Sequence, residues 1–321
     1  MGRIAAIINH SSNTYRKESA GHFGFFECEN RPETAKALFQ AAEAVFIREG
    51  LTVSRGPYNP SIHDECGLLV DGFDTPSMVF IPSNPAYYES LVIAAGYEPR
   101  RNLYAYRVML AEQAPKRIVR IIERTERSHK LVVRDLNLHK MDEELETICR
   151  LYNIMLDRNW GYYPLALEDL KDSAEGLAFF VETKLIQFVE LDGRAVAFSL
   201  ILPNINEILI KAKKRKGILR LLEVLLQLKL KRRFRKYREM RMAVLGVDPE
   251  FRDRGLGAVL YARAFERAFT LGFREVETSW IDEDNEDILR AIRLMGCRLV
   301  QTHRLYERTL NRENHENCEK T

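Results

Sequence analysis

The chain has 321 residues, of which 46% are hydrophobic and 30% are charged, and its formal net charge is +3. This composition is typical of a soluble globular protein with room for two domains, and it argues against a disordered chain. The five cysteines are scattered, and we find neither a C-x-x-C pair nor a signal peptide, so we expect a reducing cytoplasmic environment. The histidines and cysteines show no metal-ligand spacing, and no metal site is expected.

The first hundred residues alternate between apolar runs and turn residues. The predicted elements are, in order, strands at 3–9 and 24–28, a helix at 31–50, a strand at 51–54, a helix at 86–95 and a strand at 103–108. The loop before the first helix, residues 29–35, contains no glycine, and its Pro32 lacks an N–H group. Later in this half, residues 56–67 form a long loop rich in polar groups, and such loops are more often functional than average. We interpret this half as structural, or as a wall of a substrate site.

The second half begins after a predicted connecting helix at 111–129. Its predicted elements are a strand at 131–134, a helix at 143–156, a hairpin at 186–202 with an Asp192-Gly193 turn, a strand at 242–247, a helix from 256 to 272, a strand at 274–280, a helix at 287–295 and a strand at 299–306. A basic, apolar insertion occupies 205–238, and a polar tail occupies 311–321.

The stretch from Leu245 to Ala258 carries the clearest functional signal. A buried strand ends at Asp248-Pro249, Arg252-x-x-Gly255-x-Gly257 follows, and a helix begins at once. Such a turn directs backbone N–H groups and the positive end of the helix dipole at one point, which favours an anion such as a pyrophosphate. Glycine permits close approach of the ligand, and arginine adds charge-assisted hydrogen bonds. An ordinary strand–turn–helix connection is the alternative.

This loop, with the Val-x-Pro sequence before it, resembles the acetyl-CoA pyrophosphate loop of the GNAT acyltransferases, and the order of elements over 130–310 is also theirs. The resemblance implies an α/β fold of two GNAT-like units, each a twisted, mixed and mostly antiparallel sheet flanked by helices. Residues 130–310 would be the acyltransferase domain. Residues 1–110 parallel 239–306 and would be an incomplete, degenerate copy that lacks the first strand and helices, because the chain is truncated or the unit is shortened.

The resemblance further implies a co-substrate, acetyl-CoA or a longer acyl-CoA, and a set of residues that bind it. Those residues would be Leu245, Gly246, Val247, Arg252, Asp253, Arg254, Gly255, Leu256, Gly257, Ala258 and Asn285. Many GNAT enzymes have a tyrosine acid four residues before the glycine that ends the last helix, but here Gly296 is preceded at that position by Ile292. Asn285, Tyr306 and His303 are the candidate catalytic residues.

An aromatic stretch follows the first long helix of the second half, where GNAT folds line the acceptor pocket. Its residues Asn159, Trp160, Tyr162 and Tyr163 are candidates for substrate binding. A loop whose aromatic rings only fill the core is the alternative.

Residues 211–238 contain 13 Lys and Arg but one acid, Glu223, which leaves 36 basic and 45 acidic residues elsewhere. The segment is also rich in leucine, yet its uncharged run is shorter than the ~20 residues that span a bilayer. Two interpretations remain open: a cross-over helix packed on the sheet, and a segment that lies on anionic lipid at the inner face of the membrane. No nucleic-acid partner is expected, and the oligomeric state stays open.

Three functions are therefore carried forward. The first is an N-acyltransferase that moves an acyl group from CoA to a primary amine by direct attack. The second, suggested by the tandem units and the Arg304–Arg308 ending, is a long-chain enzyme similar to bacterial ceramide synthases that acts on a lipid amine at the membrane surface. The third is a non-catalytic CoA-binding or scaffold protein, suggested by Ile292.

Overall fold

The computed structural model describes residues 1–111, 116–128, 130–177, 182–211, 226 and 237–311. The strands are β1 (Gly2–Ile7), β2 (Ala20–Cys28), β3 (Val53–Gly56), β4 (Tyr58–Asn59), β5 (Glu65–Cys66), β6 (Leu68–Asp71), β7 (Glu98–Met109), β8 (Leu131–Asp135), β9 (Ile186–Leu191), β10 (Arg194–Pro203), β11 (Glu239–Val247), β12 (Glu275–Asp282) and β13 (Arg298–Thr309). The helices are α1 (His10–Arg16), α2 (Pro32–Arg48), α3 (Tyr88–Ala94), α4 (Lys116–Ser128), α5 (Met141–Leu156), α6 (Leu167–Leu177), α7 (Asn206–Lys211), α8 (Leu256–Thr270) and α9 (Glu286–Leu294).

One large mixed sheet runs through both halves of the chain. Its strand order is β1-β2-β3-β13-β7-β12-β11-β10-β9-β8, with β6 also paired to β13, and β4 and β5 form a separate small ribbon. The α/β class predicted from the sequence is confirmed. The predicted hairpin of the second half is present as β9 and β10, and its turn has the left-handed residues Asp192 and Gly193 that a two-residue turn requires.

The two halves repeat one local pattern. In each half an antiparallel pair is followed by a helix and then by a parallel strand: β1 with β2 and then β3 in the first, β10 with β11 and then β12 in the second. The repeat inferred from the sequence is therefore visible in the pairing of the strands.

The last strands of the two halves are exchanged. β13, from the end of the chain, lies beside β3 of the first half, whereas β7 of the first half lies beside β12 of the second. β7 and β13 also pair with each other over most of their length. The two halves thus share the central strands of one sheet.

Helices cover both halves of the sheet with apolar faces. In the first half, α2 and α3 pack against an aromatic core that includes Phe23, Phe39 and Tyr97. In the second half, α8 packs on β11 and β12, while α5 covers β9 and β10. Among the described residues, no helix is long and apolar enough to cross a membrane.

Candidate active site

A cleft opens where β11 and β12 separate. The two strands pair only from Glu239 to Met242 on β11 and from Glu275 to Thr278 on β12, although β11 continues to Val247 against β10. The edge of β11 from 243 to 247 therefore faces β12 without pairing to it. Backbone N–H and C=O groups on such an edge are available to a ligand. The cleft that begins here has a volume of about 2140 Å³.

The glycine-bearing loop forms one end of this cleft. Asp248 accepts a hydrogen bond from Glu250 N at 3.1 Å and so starts a 3-10 turn over Pro249–Arg254. Gly255 then takes a left-handed conformation, with φ 76°, and caps α8 without any side-chain acceptor. A right-handed turn followed by a left-handed residue makes a concave set of N–H groups that suits an anion.

The two glycines of the loop are required for different reasons. A Cβ atom at Gly255 would lie 2.3 Å from Thr125 Oγ1 of α4, so this glycine is fixed by its conformation and by a neighbouring helix. A Cβ atom at Gly257 would meet only Val247 Cγ2, at 3.5 Å. Gly257 therefore leaves open space toward the cleft, as close approach of a phosphate to the backbone would require.

Nine of the eleven residues predicted to bind CoA line the cleft: Leu245, Gly246, Val247, Arg252, Asp253, Gly255, Gly257, Ala258 and Asn285. The other two do not. The Arg254 guanidinium lies over the Phe251 ring, 4.7 Å from its centroid, and Leu256 is fully buried in the core under the loop. Asn285 caps α9 by accepting a hydrogen bond from Ile288 N at 3.3 Å.

The aromatic stretch after α5 forms a second wall. Asn159, Trp160 and Tyr163 line the cleft. Tyr162 is buried instead, and its hydroxyl donates to Asn153 Oδ1 at 2.9 Å, which holds the loop in place. The structure thus brings three of the four predicted substrate-binding residues to the cleft.

The first half of the chain supplies the opposite wall, mainly from its loop at 59–66. His63 of this loop hydrogen-bonds through Nδ1 to the Tyr152 hydroxyl of α5 at 3.0 Å, and Asn9 Nδ2 donates to Tyr163 Oη at 2.9 Å. Burial lowers the pKa of His63. One continuous site is therefore built from both halves, as the wall interpretation of the first half anticipated.

A buried network of charged groups underlies the floor of the cleft. Arg241 donates from Nε to Ser279 Oγ at 3.1 Å, Ser279 donates to Glu277 Oε1 at 2.9 Å, and Arg107 donates to Glu277 Oε2 at 2.8 Å. Burial lowers the pKa of Arg241 to about 10. Because the network holds two guanidinium groups and one carboxylate, it carries one surplus positive charge.

One residue of the 59–66 loop, Glu65, was not selected from the sequence. It is half-buried, it lines the cleft, and burial raises the pKa of its carboxyl, an effect opposed by the nearby Arg241. The only sequence signal for Glu65 was its place in a long polar loop, because nothing in the residue spacing connects that loop to β11.

Two of the three candidate catalytic residues do not line the cleft, although the His303 ring lies 4.5 Å from that of Trp280, which does. His303 Nε2 hydrogen-bonds to the Pro82 carbonyl at 3.0 Å, and burial lowers the pKa of this imidazole to about 4. The Tyr306 hydroxyl donates to Glu89 Oε1 at 2.6 Å in the core of the first half. Both residues are on β13, which strand exchange places one strand farther from β12, so the geometry gives their catalytic roles no support. Asn285 alone remains at the cleft.

Comparison with known proteins agrees with this architecture. The model of the acetyltransferase (GNAT) family matches residues 145–296. A GCN5-related N-acetyltransferase from Sphaerobacter thermophilus superposes over 96% of this chain and 76% of its own with a TM-score of 0.54 at 13% identity. A tandem GNAT protein from the clavulanic acid biosynthesis pathway superposes over 92% and 76% with a TM-score of 0.50 at 11% identity. The fold is therefore that of the GNAT acyltransferases.

The sequence match to a curated relative is longer than the match to the family model. The bacterial ceramide synthase of Caulobacter vibrioides (strain NA1000 / CB15N) is 30% identical to this chain over 315 residues, which are 97% of this chain and 81% of the relative. This chain belongs to the family of that protein, within the GNAT acyltransferases, and it is an acyltransferase.

Proposed function

We propose that the protein transfers a long-chain acyl group from CoA to the primary amine of a lipid acceptor. The size and continuity of the cleft carry this proposal. At about 2140 Å³ it is larger than the roughly 300–1,000 Å³ of ordinary small-molecule pockets. A GNAT enzyme that moved an acetyl group to a small amine would need much less space.

Apolar side chains from both halves line the cleft. They include Ile7, Ile8, Phe25, Ile62, Phe80, Leu103, Ile118, Ile121, Ile148 and Leu156. Burial of a methylene group contributes about 0.8 kcal/mol, so such walls favour long hydrocarbon chains over short ones. A ceramide is the amide of a fatty acid and a long-chain amino alcohol, and the name of the Caulobacter relative describes synthesis of that class of product.

The donor end of the cleft is the glycine loop. The pyrophosphate of acyl-CoA would bind the N–H groups at the start of α8, with the space beside Gly257 allowing close approach. Its pantetheine arm would pair with the free edge of β11 at Leu245, Gly246 and Val247. A backbone N–H on that edge would stabilise the oxyanion of the tetrahedral intermediate.

The acceptor end of the cleft is acidic. Its lining includes six carboxylates: Asp64, Glu65, Asp169, Asp172, Asp282 and Asp284. An amine enters as an ammonium cation, so this charge attracts the acceptor. After loss of a proton, the nitrogen lone pair forms the C–N bond. The nitrogen then loses its second proton to water, the C–S bond breaks, and CoA leaves as a thiolate.

The leaving group needs little help from the protein. Ile292, at the position of the family's usual tyrosine, lines the cleft and has no proton to donate. Because a thiolate is a fairly good leaving group, the absence of this acid is compatible with catalysis. The unobstructed space at Gly257 supports an enzyme over a scaffold, because a scaffold has no need of that space.

Contact with the membrane is part of the same proposal. Most of the basic, leucine-rich segment at 211–238 lies outside the described residues, so its conformation is not described. Residues just before it, Leu209 and Ile210, are exposed apolar side chains on α7. Each basic residue near an anionic surface adds roughly 1 kcal/mol, so we expect the protein to float with anionic vesicles at low salt and to dissociate at high salt.

The test of the proposal is a matrix of donors and acceptors with thiol release as the readout. Acetyl-CoA and palmitoyl-CoA are each assayed with a short amino alcohol and with a long-chain amino alcohol, and the amide product is identified by mass spectrometry. We expect the long donor with the long acceptor to give the highest kcat/KM, by at least about 100-fold over the short pair. Equal rates for both donors would contradict the long-chain proposal, and thiol release that no amine accelerates would contradict amine acylation.

A further inference from the structure

The 59–66 loop of the first half is held firmly where it enters the cleft. Tyr58 pairs with Cys66 and Asn59 with Glu65 in the small ribbon of β4 and β5. Phe25 N donates to Asn59 Oδ1 at 2.6 Å, which ties the ribbon to β2. At the tip of the loop, Ser61 Oγ donates to Asp64 Oδ2 at 2.6 Å. A side chain on this ribbon is therefore presented to the cleft in a fixed position.

Glu65 and Cys66 of the ribbon both line the cleft, but they differ in burial. Cys66 is fully buried among Tyr58, Leu103 and Leu305. Successive residues of a strand point to opposite faces, so Glu65 points away from that core. It lines the cleft and is half-buried there.

Among the described acids that line the cleft, Glu65 is half-buried and has no bound partner, whereas Asp169 and Asp172, which also have none, are exposed. Arg101 donates to Asp282 from Nε at 3.0 Å and to Asp284 from Nη1 at 2.6 Å, and Asp64 is bonded to Ser61. Among the described residues, no hydrogen bond or ion pair reaches the Glu65 carboxylate. A base must be able to take a proton, and a carboxylate already held by an arginine is a poor one.

The groups around Glu65 act on the pKa of its carboxyl in opposite senses. The charge of Arg241, from β11, acts on it directly, and behind Arg241 lie Glu277 and Arg107 with their surplus positive charge. Asp64 of the same loop acts in the opposite sense. The other titratable groups on the facing elements, Tyr152 of α5 and His63, form a hydrogen-bonded pair with each other. Burial exceeds the effect of Arg241, so the pKa of Glu65 lies above its ordinary value of 4.5.

We propose that Glu65, contributed by the degenerate half, is the general base that accepts the proton of the acceptor ammonium. This assignment rests on the proposed N-acyl transfer. The N–H bond breaks, the proton goes to a Glu65 carboxylate oxygen, and the freed lone pair attacks the thioester carbonyl carbon. The nitrogen of the tetrahedral intermediate then gives its second proton to water, and the C–S bond breaks with its electron pair on sulfur to leave a neutral amide and the CoA thiolate. The Glu65 carboxyl returns its own proton to water. Arg241 acts as a positioning residue, because its charge stabilises the ionised carboxylate between turnovers.

The decisive measurement is the pH profile of kcat/KM for Glu65→Gln with palmitoyl-CoA and a long-chain amino alcohol. General-base catalysis contributes on the order of 100- to 10,000-fold, so we expect a loss of at least about 100-fold near neutral pH. The wild-type rate should rise with pH as Glu65 ionises. The variant should lack this rise of kcat/KM with the ionisation of residue 65, but its rate should recover at high pH, where the free amine is abundant. CoA affinity and Tm should stay at their wild-type values.

Glu98→Gln is the matched control, since it makes the same change on an exposed residue of β7 outside the cleft and should leave the profile unaltered. Glu65→Asp is a second variant that keeps a base in a displaced position, and it should lose roughly 10-fold and retain the rise of kcat/KM with pH. A Glu65→Gln enzyme with wild-type rates, or one whose loss is equal at every pH, would overturn the assignment. A wild-type protein that acylates no amine would instead overturn the proposed function.

Discussion

The two halves of the molecule use the space between their parallel strands in opposite ways. In the second half, β11 and β12 separate beyond Met242, and the cleft begins in the gap. In the first half, β2 and β3 pair at Ala20–His22, and β4 then lies against the edge of β2: a Cβ atom at Gly24 would be 1.7 Å from the Tyr58 carbonyl oxygen. One gap admits a ligand, and the other is filled by the chain itself.

The loops before helices α8 and α2 also differ, because the first suits an anion and the second does not. At the start of α8, Gly255 caps the helix without a side chain and leaves the N–H groups accessible. At the start of α2, Pro32 occupies the first turn, Glu33 adds negative charge, and Glu29 pairs with the N-terminal amine. The loop of the first half thus lacks the features that we propose for donor binding, and this half instead supplies a wall and, by our proposal, the base of the site in the other half.

The largest expected effect comes from a change in the loop that we propose binds CoA. Gly257→Asp places a carboxylate where the phosphate would bind, and we expect CoA affinity to fall at least about 1,000-fold, or roughly 4 kcal/mol. Isothermal calorimetry with the wild-type protein should give one site per chain. Gly257 is a cleaner position than Gly255, where any side chain would also strike Thr125.

Glu33→Lys is the control for this prediction, because it gives the loop of the first half a positive charge without giving it a glycine. The Glu33→Lys variant should still bind one CoA per chain. Two sites per chain in the wild-type protein, or unchanged affinity in Gly257→Asp, would contradict the division of labour between the halves.

A second comparison makes the same substitution, glycine to alanine, at each of the two gaps. Gly24→Ala drives a methyl group into the Tyr58 carbonyl, and we expect a loss of about 3 kcal/mol in the free energy of unfolding. Gly257→Ala has open space and lies in the first turn of α8, so it should be neutral or gain up to about 1 kcal/mol. Chemical denaturation of both variants without ligand is the measurement. Equal stability would mean that the gap of the first half can relax around an added methyl group.

A third prediction concerns the exchanged strands. Leu305 on β13 is fully buried, and Leu305→Ala should cost about 2 to 3 kcal/mol through a cavity at the centre of the shared sheet. Hydrogen exchange should then increase in β3 and β7 together, because both pair with β13. Leu151→Ala, a change of equal size in the core under α5, should leave the exchange rates of β3 nearer to those of the wild type. Separate unfolding of the two halves would contradict the exchange of strands.

Much of the fold was predictable from sequence because its elements have clear apolar periods. The helices α2, α5 and α8 and the hairpin of β9 and β10 were predicted within a few residues. The short helix α1 was not, since His10–Arg16 buries only Ser12 and is instead held by the Asn9 cap. Local patterns also do not reveal which strands pair across a long chain separation, and so the exchange of β7 and β13 was not foreseen.

The same limit applies to the site: residues that are close in sequence could be predicted to act together, whereas residues that only the fold brings together could not. The residues of the glycine-bearing loop could be proposed from sequence because strand, turn and helix are adjacent in the chain. Tyr306 and His303 were selected because they lie near Gly296 in the sequence, but they are on β13, and β7 is the strand that pairs with β12 beside the cleft. Glu65 went unnoticed because its neighbours at the cleft, Arg241 and Tyr152, are far away in the chain.

The exchanged strands also impose an order on how the protein can be made. During synthesis β3 leaves the ribosome long before β13, which supplies its neighbour and comes within the last residues of the chain. The nascent first half therefore waits with an unpaired, partly apolar strand edge while some 240 further residues are added. Premature termination anywhere before 298 would release a chain in which β3 has never met its partner strand β13.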